Sequence, residues 1–366
     1  MLKKTFKFRI YPSKAQTTQL ELTLNLCREL YNSALQERRD AWRFNQINIT
    51  NQDQEKQLPE IKKIRTDLNE VYSQVLQEVL KRVDRSFQNF FHKVKLKQST
   101  GGFPRFQNKS RYKSFTFKQS GFSLLQGRLN LSKIGKVKIK LHRQIIGKVK
   151  TLTISRDSTG KWFACFAIET QTQKLAPTNK TVGIDCGISK FAVLSDGFEV
   201  DNPRFFRQEE KQIAKAQRKL SLEKKGTKER FEKRKIIAKI HQRNRNKRNN
   251  FAHQFSNHLV KNYDRIFFED LNIKGMMKNR CLAKAIGDVA WKQTIQLTQN
   301  KAAEAGRVVE LVDPRNTSQQ CSKCGEIVKK DLSVRLHHCI KCGLKICRDL
   351  NAAINIKTLG LKSLGL

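Results

Sequence analysis

Four cysteines constrain this chain more than any other feature. They stand at Cys321, Cys324, Cys339 and Cys342, two Cys-x2-Cys pairs separated by fourteen residues. Each pair can form a tight knuckle, and two facing knuckles bring four thiolates into a tetrahedron around one ion. Residues 314–346 are therefore expected to be a small, irregular zinc-binding unit. Four protein ligands leave no open position, so the Zn2+ is expected to be structural. Cys347, His337 and His338 stand close by as alternative ligands. The cysteine total, nine, is odd. With four of them in a metal pattern, a reducing compartment fits better than a disulfide framework.

Charge is the second constraint. Against 74 Lys+Arg there are 32 Asp+Glu, a formal net charge of +42. Such a chain repels itself unless a polyanion is near. Enzymes of small acidic substrates are thereby disfavoured, leaving nucleic acid or an anionic membrane surface as partner. The basic segments lack a Trp-rich apolar face, so the membrane role is the weaker one. Hydrophobic residues make up 38% of the chain, with 22 Phe, enough for real cores rather than a disordered basic tail. No apolar run approaches the ~18 residues of a membrane span. The lysine-studded start, Met1 to Lys7, does not read as a signal peptide. A cytoplasmic, nucleoid-associated protein is expected.

Hydrophobic periodicity divides the chain. Phe6, Phe8 and Ile10 alternate with Lys7, Arg9 and Tyr11 up to Pro12, a strand. Ser13 to Gln16 is a capping box, followed by Leu20, Leu24, Cys27, Tyr31 and Ala34 at helical spacing. A second helix is expected to carry Ile61, Ile64, Leu68, Val71, Val75 and Val79 and to continue toward Val94. The pattern changes near Gly101-Gly102. Phe115–Phe117 and the alternation of Val137, Ile139 and Leu141 with Lys136, Lys138 and Lys140 read as strands. Leu152 to Ile168 forms a hairpin about Asp157–Gly160. These strands suggest one β-barrel, residues 1–12 and 99–178, split by a helical unit at 13–98.

The remainder reads as α/β. Val182–Asp185 is a buried-type strand with Lys190–Leu194 as its hairpin partner, and Arg265–Leu271 is an apolar strand ending in acids. A helix is expected from Asp288 to Ala305, a strand at Val308–Val312 and a short helix from Asp349 to Ile356. Residues 205–250 read as long basic helices, with 17 Lys/Arg against 5 Glu. The domains of this half are 179–313 with 347–366, interrupted by 314–346.

Three acids, Asp185, Glu269 and Asp349, stand at strand ends or a helix start. If they met, the repulsion would be large: two unit charges about 4 Å apart cost roughly 4 kcal/mol at an effective dielectric near 20. Such a cluster persists with cations or raised pKa values. Oxygen ligands suit Mg2+ or Mn2+, and two such ions are the engine of phosphodiester hydrolysis.

Several segments resemble the transposon-encoded TnpB family, relatives of the type V CRISPR effectors. They are Phe8–Pro12, Gly102–Phe106, Val182–Gly187, Phe268–Met276, Asn316–Gly325 and Arg348–Ala353, in the family's order and spanning nearly the whole chain. The resemblance implies an RNA-guided DNA endonuclease that cuts beside a short flanking motif. It implies a RuvC-like (RNase H-like) nuclease domain bearing a zinc-ribbon insert, a split wedge barrel and an inserted recognition unit. Asp185, Glu269 and Asp349 match the catalytic carboxylates that hold two Mg2+ or Mn2+ ions. Guide RNA from the transposon end and double-stranded target DNA are the implied partners, with one or two copies of the protein per RNA. The chain departs from the family at Cys347, where Asp often stands. A nuclease-inactive RNA-guided repressor is the alternative, opposed by the intact acids. A strand-transferring transposase would need a His-x-His and Tyr arrangement, which is not visible.

For the polyanion, the candidate contacts are Lys136, Lys138 and Lys140 on one strand face and Arg218, Lys219, Arg234, Lys235 and Arg245 in the basic helices. Phe90, Phe91, Phe103, Phe106 and Tyr112 could stack on bases, although burial in a core is the commoner fate of such rings.

Overall fold

A computed structural model describes residues 2–97, 102–172, 174–331 and 333–366. Gly101, where the pattern was expected to change, lies outside them. Packing divides the chain into two compact units, residues 1–171 and 172–366.

In the first unit a seven-stranded antiparallel sheet runs in the order β2-β6-β7-β1-β5-β4-β3. The strands are β1 (Leu2–Tyr11), β2 (Ser114–Phe117), β3 (Phe122–Leu125), β4 (Arg128–Leu131), β5 (Gly135–Lys140), β6 (Lys148–Arg156) and β7 (Trp162–Thr170). β1 is central because it pairs with β7 along its length and with β5 at its end. Its alternation is realised: Phe6, Phe8 and Ile10 face the core. The edges of the sheet approach one another, with the Phe117 and Phe122 rings 6.2 Å apart, so the sheet nearly closes into a barrel.

Between β1 and β2 come α1 (Lys14–Asn45), α2 (Asn51–Ile64) and α3 (Ser73–Lys95). Ser13 and Gln16 form the expected reciprocal capping box at the start of α1. The expected continuous second helix is broken instead. α2 ends at Ile64, a 3-10 turn spans Thr66–Glu70, and Val71 and Tyr72 are extended before α3 begins. Leu68, Val71, Val75 and Val79 are buried all the same. Ile64, expected on the same face, is exposed at the end of α2, so the apolar spacing reported most of the burial but not the backbone turn between the two helices.

The second unit is built on a five-stranded sheet of order β10-β9-β8-β11-β12. Its strands are β8 (Thr181–Cys186), β9 (Lys190–Leu194), β10 (Glu199–Asp201), β11 (Arg265–Glu269) and β12 (Val308–Val312). β8, β9 and β10 are antiparallel neighbours, while β11 lies parallel to both β8 and β12. The helices are α4 (Phe205–Ser221), α5 (Lys228–Asn262), α6 (Ile273–Met276), α7 (Arg280–Val289), α8 (Trp291–Ala305) and α9 (Arg348–Ser363). The short strands β13 (Leu336–His338) and β14 (Lys345–Cys347) pair within the cysteine-rich insert.

Two helix boundaries differ from the expectation. The helix expected to open at Asp288 begins at Trp291, because Ala290 adopts a left-handed conformation that ends α7. Asp288 caps another helix: its carboxylate accepts the Phe206 N–H at the start of α4. The C-terminal helix runs to Ser363 rather than Ile356.

Alternation along β8 and β11 sorts the second unit into layers. Val182, Ile184, Ile266 and Phe268 pack with Phe255, Leu259 and Val260 of α5 and with Ala302 of α8. The intervening residues Gly183, Asp185, Phe267 and Glu269 therefore share the other face. There Phe267 and Val312 pack against Ile356 of α9. The approach of α9 is close. A Cβ on Gly183 would lie 2.3 Å from the Ala353 carbonyl oxygen, and one on Gly360 would lie 2.2 Å from the Phe267 ring. Only hydrogen fits at these two positions, and they seat the helix on the sheet.

Candidate active site

This packing brings the three acids to one edge of the sheet. Asp185, next to last in β8, and Glu269, last in the adjacent parallel strand β11, lie on the face that α9 crosses, and Asp349 lies in the first turn of α9. Glu269 stands one step beyond the paired residues Phe268 and Ile184, level with Asp185.

The acids sense one another. Burial pushes the Asp185 carboxyl up to about 8, and the charges of Glu269 and Asp349 push the same way, while Arg348 and Arg335 oppose. Burial also raises Glu269, and a hydrogen bond from Thr317 pulls it back. Cys186 is raised well above the ordinary thiol range by burial and then by Asp185 and Glu269. Three carboxyls gathered in a chain with so few acids form the oxygen donor set that suits a hard divalent cation.

Two of these acids are held by residues of the cysteine-rich insert and its flank. The Thr317 hydroxyl lies 2.6 Å from Glu269 Oε1, and Thr317 is itself buried. Arg335 reaches Asp349 at 3.7 Å. Two asparagines of α9 hold the loop between Thr317 and Ser322. Asn355 Nδ2 donates to the carbonyls of Thr317 and Gln320 at 2.8 and 2.7 Å. Asn351 Nδ2 donates to Gln320 O at 2.7 Å, and its Oδ1 accepts the Ser322 N–H at 2.9 Å. Thr317, Arg335, Asn351 and Asn355 were not singled out from the sequence as site residues.

The four cysteines come together as their spacing requires. The Sγ atoms of Cys321 and Cys342, and those of Cys324 and Cys339, are 3.6 Å apart. All four donor atoms lie within 4.8 Å of one another. Tetrahedral zinc with Zn–S bonds of about 2.3 Å sets the S–S edge at about 3.8 Å, so the donor set and its size both fit. Burial opposes ionisation of Cys321, but the backbone N–H groups of Cys324 and Lys323, together with the side chains of His337 and Cys342, bring the thiol down to about 6. Neither histidine is among the four clustered donors: His337 is buried beside Lys330 with its side chain against Cys321, and His338 is exposed. Cys347 ends β14 just before α9 and is exposed too. Among the described residues no other group of three or more such side chains closes as tightly, so the carboxyls form the more open cluster.

The basic candidates are at the surface. Lys136, Lys138 and Lys140 are exposed on the outer face of β5. Arg218 and Lys219 are exposed near the end of α4, and Arg234 and Arg245 along α5. Lys235 is half-buried, 3.8 Å from Glu232. Among the rings, Phe91, Phe103 and Phe106 are exposed, whereas Tyr112 belongs to the core of the first unit. Phe91 and Phe103 line a groove of about 680 Å³ with Trp42 and Arg39.

Family models match three stretches of the chain. Residues 164–280 match a family described as "Probable transposase", residues 291–356 a "Cas12f1-like, TNB domain" and residues 1–46 a "Helix-turn-helix domain". In the structure residues 2–46 hold a strand and one continuous helix, not two helices about a turn. Full-length similarity is decisive. Over 368 residues the chain is 33% identical to a "Putative RNA-guided DNA endonuclease" of Streptomyces pristinaespiralis, covering 98% of this chain and 90% of that one. The chain belongs to the TnpB family. It is 26% identical to "TnpB-like protein L770" of Acanthamoeba polyphaga mimivirus over 62% of its own length and 46% of that protein's. The TnpB-family chain also shares its fold with a Cas12f1 solved by cryo-EM in complex with sgRNA and target DNA. Identity there is 14% and the TM-score 0.60, over 97% of this chain and 98% of that one.

Proposed function

We propose that this TnpB-family protein is an RNA-guided, metal-dependent DNA endonuclease that cuts target DNA beside a short flanking motif. One observation carries the reading: three acids far apart in sequence converge at one sheet edge, where burial and mutual repulsion raise Asp185 to about 8. Evolution of a basic protein has no folding reason to gather acids there, since clustering them is destabilising.

The second unit, with its 3-2-1-4-5 strand order and α9 on one face, is read as a RuvC-like nuclease domain at 179–313 and 347–366, interrupted by the zinc-binding insert 314–346. The first unit is read as the split wedge barrel, 1–12 and 99–178, around the recognition helices 13–98. Asp185, Glu269 and Asp349 would hold two Mg2+ or Mn2+ ions. When bound, these ions supply an activated water and neutralise the charge on the leaving oxygen. The protein's own part is to gather the three carboxyls in one place, where a bound cation would favour their ionised forms, and to orient Glu269 and Asp349 through Thr317 and Arg335. Four thiolates would hold one structural Zn2+. A guide RNA derived from the transposon end would lie along the basic faces of β5, α4 and α5, and base pairing would read the sequence of the target duplex.

The test is cleavage of a matched plasmid by the protein purified with its guide RNA. The expected result is cutting in Mg2+, none after removal of Mg2+, and none by Asp185→Ala, which keeps its RNA. A plasmid left intact by the wild type in Mg2+, with target binding retained, would instead identify an RNA-guided repressor. Cutting by Asp185→Ala would overturn the assignment of the acids.

A further inference from the structure

Each half of the cysteine-rich insert touches one carboxylate. On the first side, Cys321 lies in the segment 317–322. That segment begins at Thr317 on Glu269 and is tied by four hydrogen bonds to Asn351 and Asn355 of α9, the helix that carries Asp349. The turn into it is tight: Asn316 has a φ of 61°, and its carbonyl accepts the N–H groups of Gln319 and Gln320. On the second side, Arg335 precedes Cys339 by four residues and meets Asp349. Its carbonyl accepts the Arg348 N–H at 2.8 Å, which joins the insert to the first residue of α9.

We infer that the insert is a positioning element of the nuclease site, with Thr317 and Arg335 setting where Glu269 and Asp349 stand and the zinc thiolates setting where Thr317 and Arg335 stand. The inference rests on the proposed roles of the carboxyls and thiols. The Thr317 hydroxyl has one proton and two acceptors in reach, Glu269 Oε1 at 2.6 Å and Pro314 O at 3.1 Å. An ionised carboxylate is the stronger acceptor. The bond therefore fixes one Glu269 oxygen and leaves the other to a cation. Partners that orient metal ligands in this way are worth about 10–100-fold in metal affinity. Zinc occupancy and divalent-cation affinity at the acids should thus be coupled.

The experiment is Mn2+ titration by electron paramagnetic resonance on the intact ribonucleoprotein, with Asp185→Ala carrying the same RNA as background and zinc measured on every sample. Thr317→Val keeps the shape and removes the hydroxyl. It should keep one zinc per chain, melt as the wild type does and bind Mn2+ at the acids about tenfold more weakly. Thr317→Ser should restore wild-type affinity, which a merely structural role for the residue would not require. Arg335→Ala should weaken Mn2+ as well. Cys324→Ser, at an exposed ligand, should lower zinc content and Mn2+ affinity together. Thr317→Val and Arg335→Ala binding Mn2+ within about twofold of wild type, zinc retained, would overturn the inference while leaving the nuclease reading intact. Equal Mn2+ binding by wild type and Asp185→Ala would overturn the carboxylate assignment and this inference with it.

Discussion

Asp185 lies near the end of a strand that is packed on both faces, and its carboxyl is displaced from the ordinary range to about 8. That displacement has a sign in stability. In the unfolded chain the group ionises near pH 4, so between about 4 and 8 the native state binds the extra proton and stability falls as pH rises. Without divalent cations the wild type should lose on the order of a few kcal/mol across that window through this group. Asp185→Asn, which has no proton to lose, should lack this part of the slope and melt several degrees above the wild type at about pH 8.5. Added Mg2+ should shrink the difference by favouring the ionised form. Thermal melts of both proteins across pH, with and without Mg2+, check it, and equal melting at about pH 8.5 without the cation would refute the buried-acid account. The acids themselves stood out because each lies inside a family motif, two of them at the end of an apolar run and Asp349 at a helix start. Thr317, Asn351 and Asn355 were not. A hydroxyl or amide in a loop or helix reads the same whether it meets water or a carboxylate 48 residues away.

Among elements, α9 decides whether a site exists, since it brings Asp349 over strands that carry the other two acids. Its seat is two missing side chains. Gly183→Ala would drive a methyl group into the backbone of Ala353 and Lys357, which cannot swing aside as a flexible side chain would. The expected cost is about 3 kcal/mol or more in stability, with cleavage lost because the helix start must move. Gly360→Ala meets the Phe267 ring instead and should cost somewhat less. Gly287→Ala in α7 is the control: nothing lies within 4 Å of the new Cβ, so helix propensity should raise stability by about 0.5–1 kcal/mol. Denaturant unfolding of the three variants orders them, and a tolerated Gly183→Ala would show that α9 is not seated in this way. Strands and apolar faces were readable because period-2 and period-3.6 patterns survive any turn placed between them. The turns were less so. Ala290 ends α7 in a conformation for which alanine has no preference, and the carboxylate of Asp288 that seemed to open the next helix serves α4 across 82 residues.

At the scale of the whole molecule, the charge of +42 is spread unevenly. Residues 205–250 alone contribute 17 Lys/Arg against 5 Glu, on two helices whose described basic side chains are largely at the surface. Without a polyanion these charges repel one another within the fold, so the RNA-free protein should melt at a lower temperature at low salt than at high salt, and the stably folded species should be the ribonucleoprotein. Binding to RNA releases counterions, and each phosphate neutralised steepens the log–log salt dependence by about 0.7–0.9. Replacing Arg218, Lys219, Arg234, Lys235 and Arg245 together by Ala should therefore flatten the slope by about 4 if all five touch phosphate. Four of the five are exposed, and Lys235 leaves behind only its partner Glu232, so the melting temperature of the variant should hardly change. RNA binding measured between about 50 and 200 mM salt separates the possibilities. An unchanged slope would mean that this helical pair is a solvated surface and that the guide lies elsewhere, with the lysine stripe of β5 as the next surface to neutralise. A slope reduced by less than the full amount counts directly how many of the five reach the backbone.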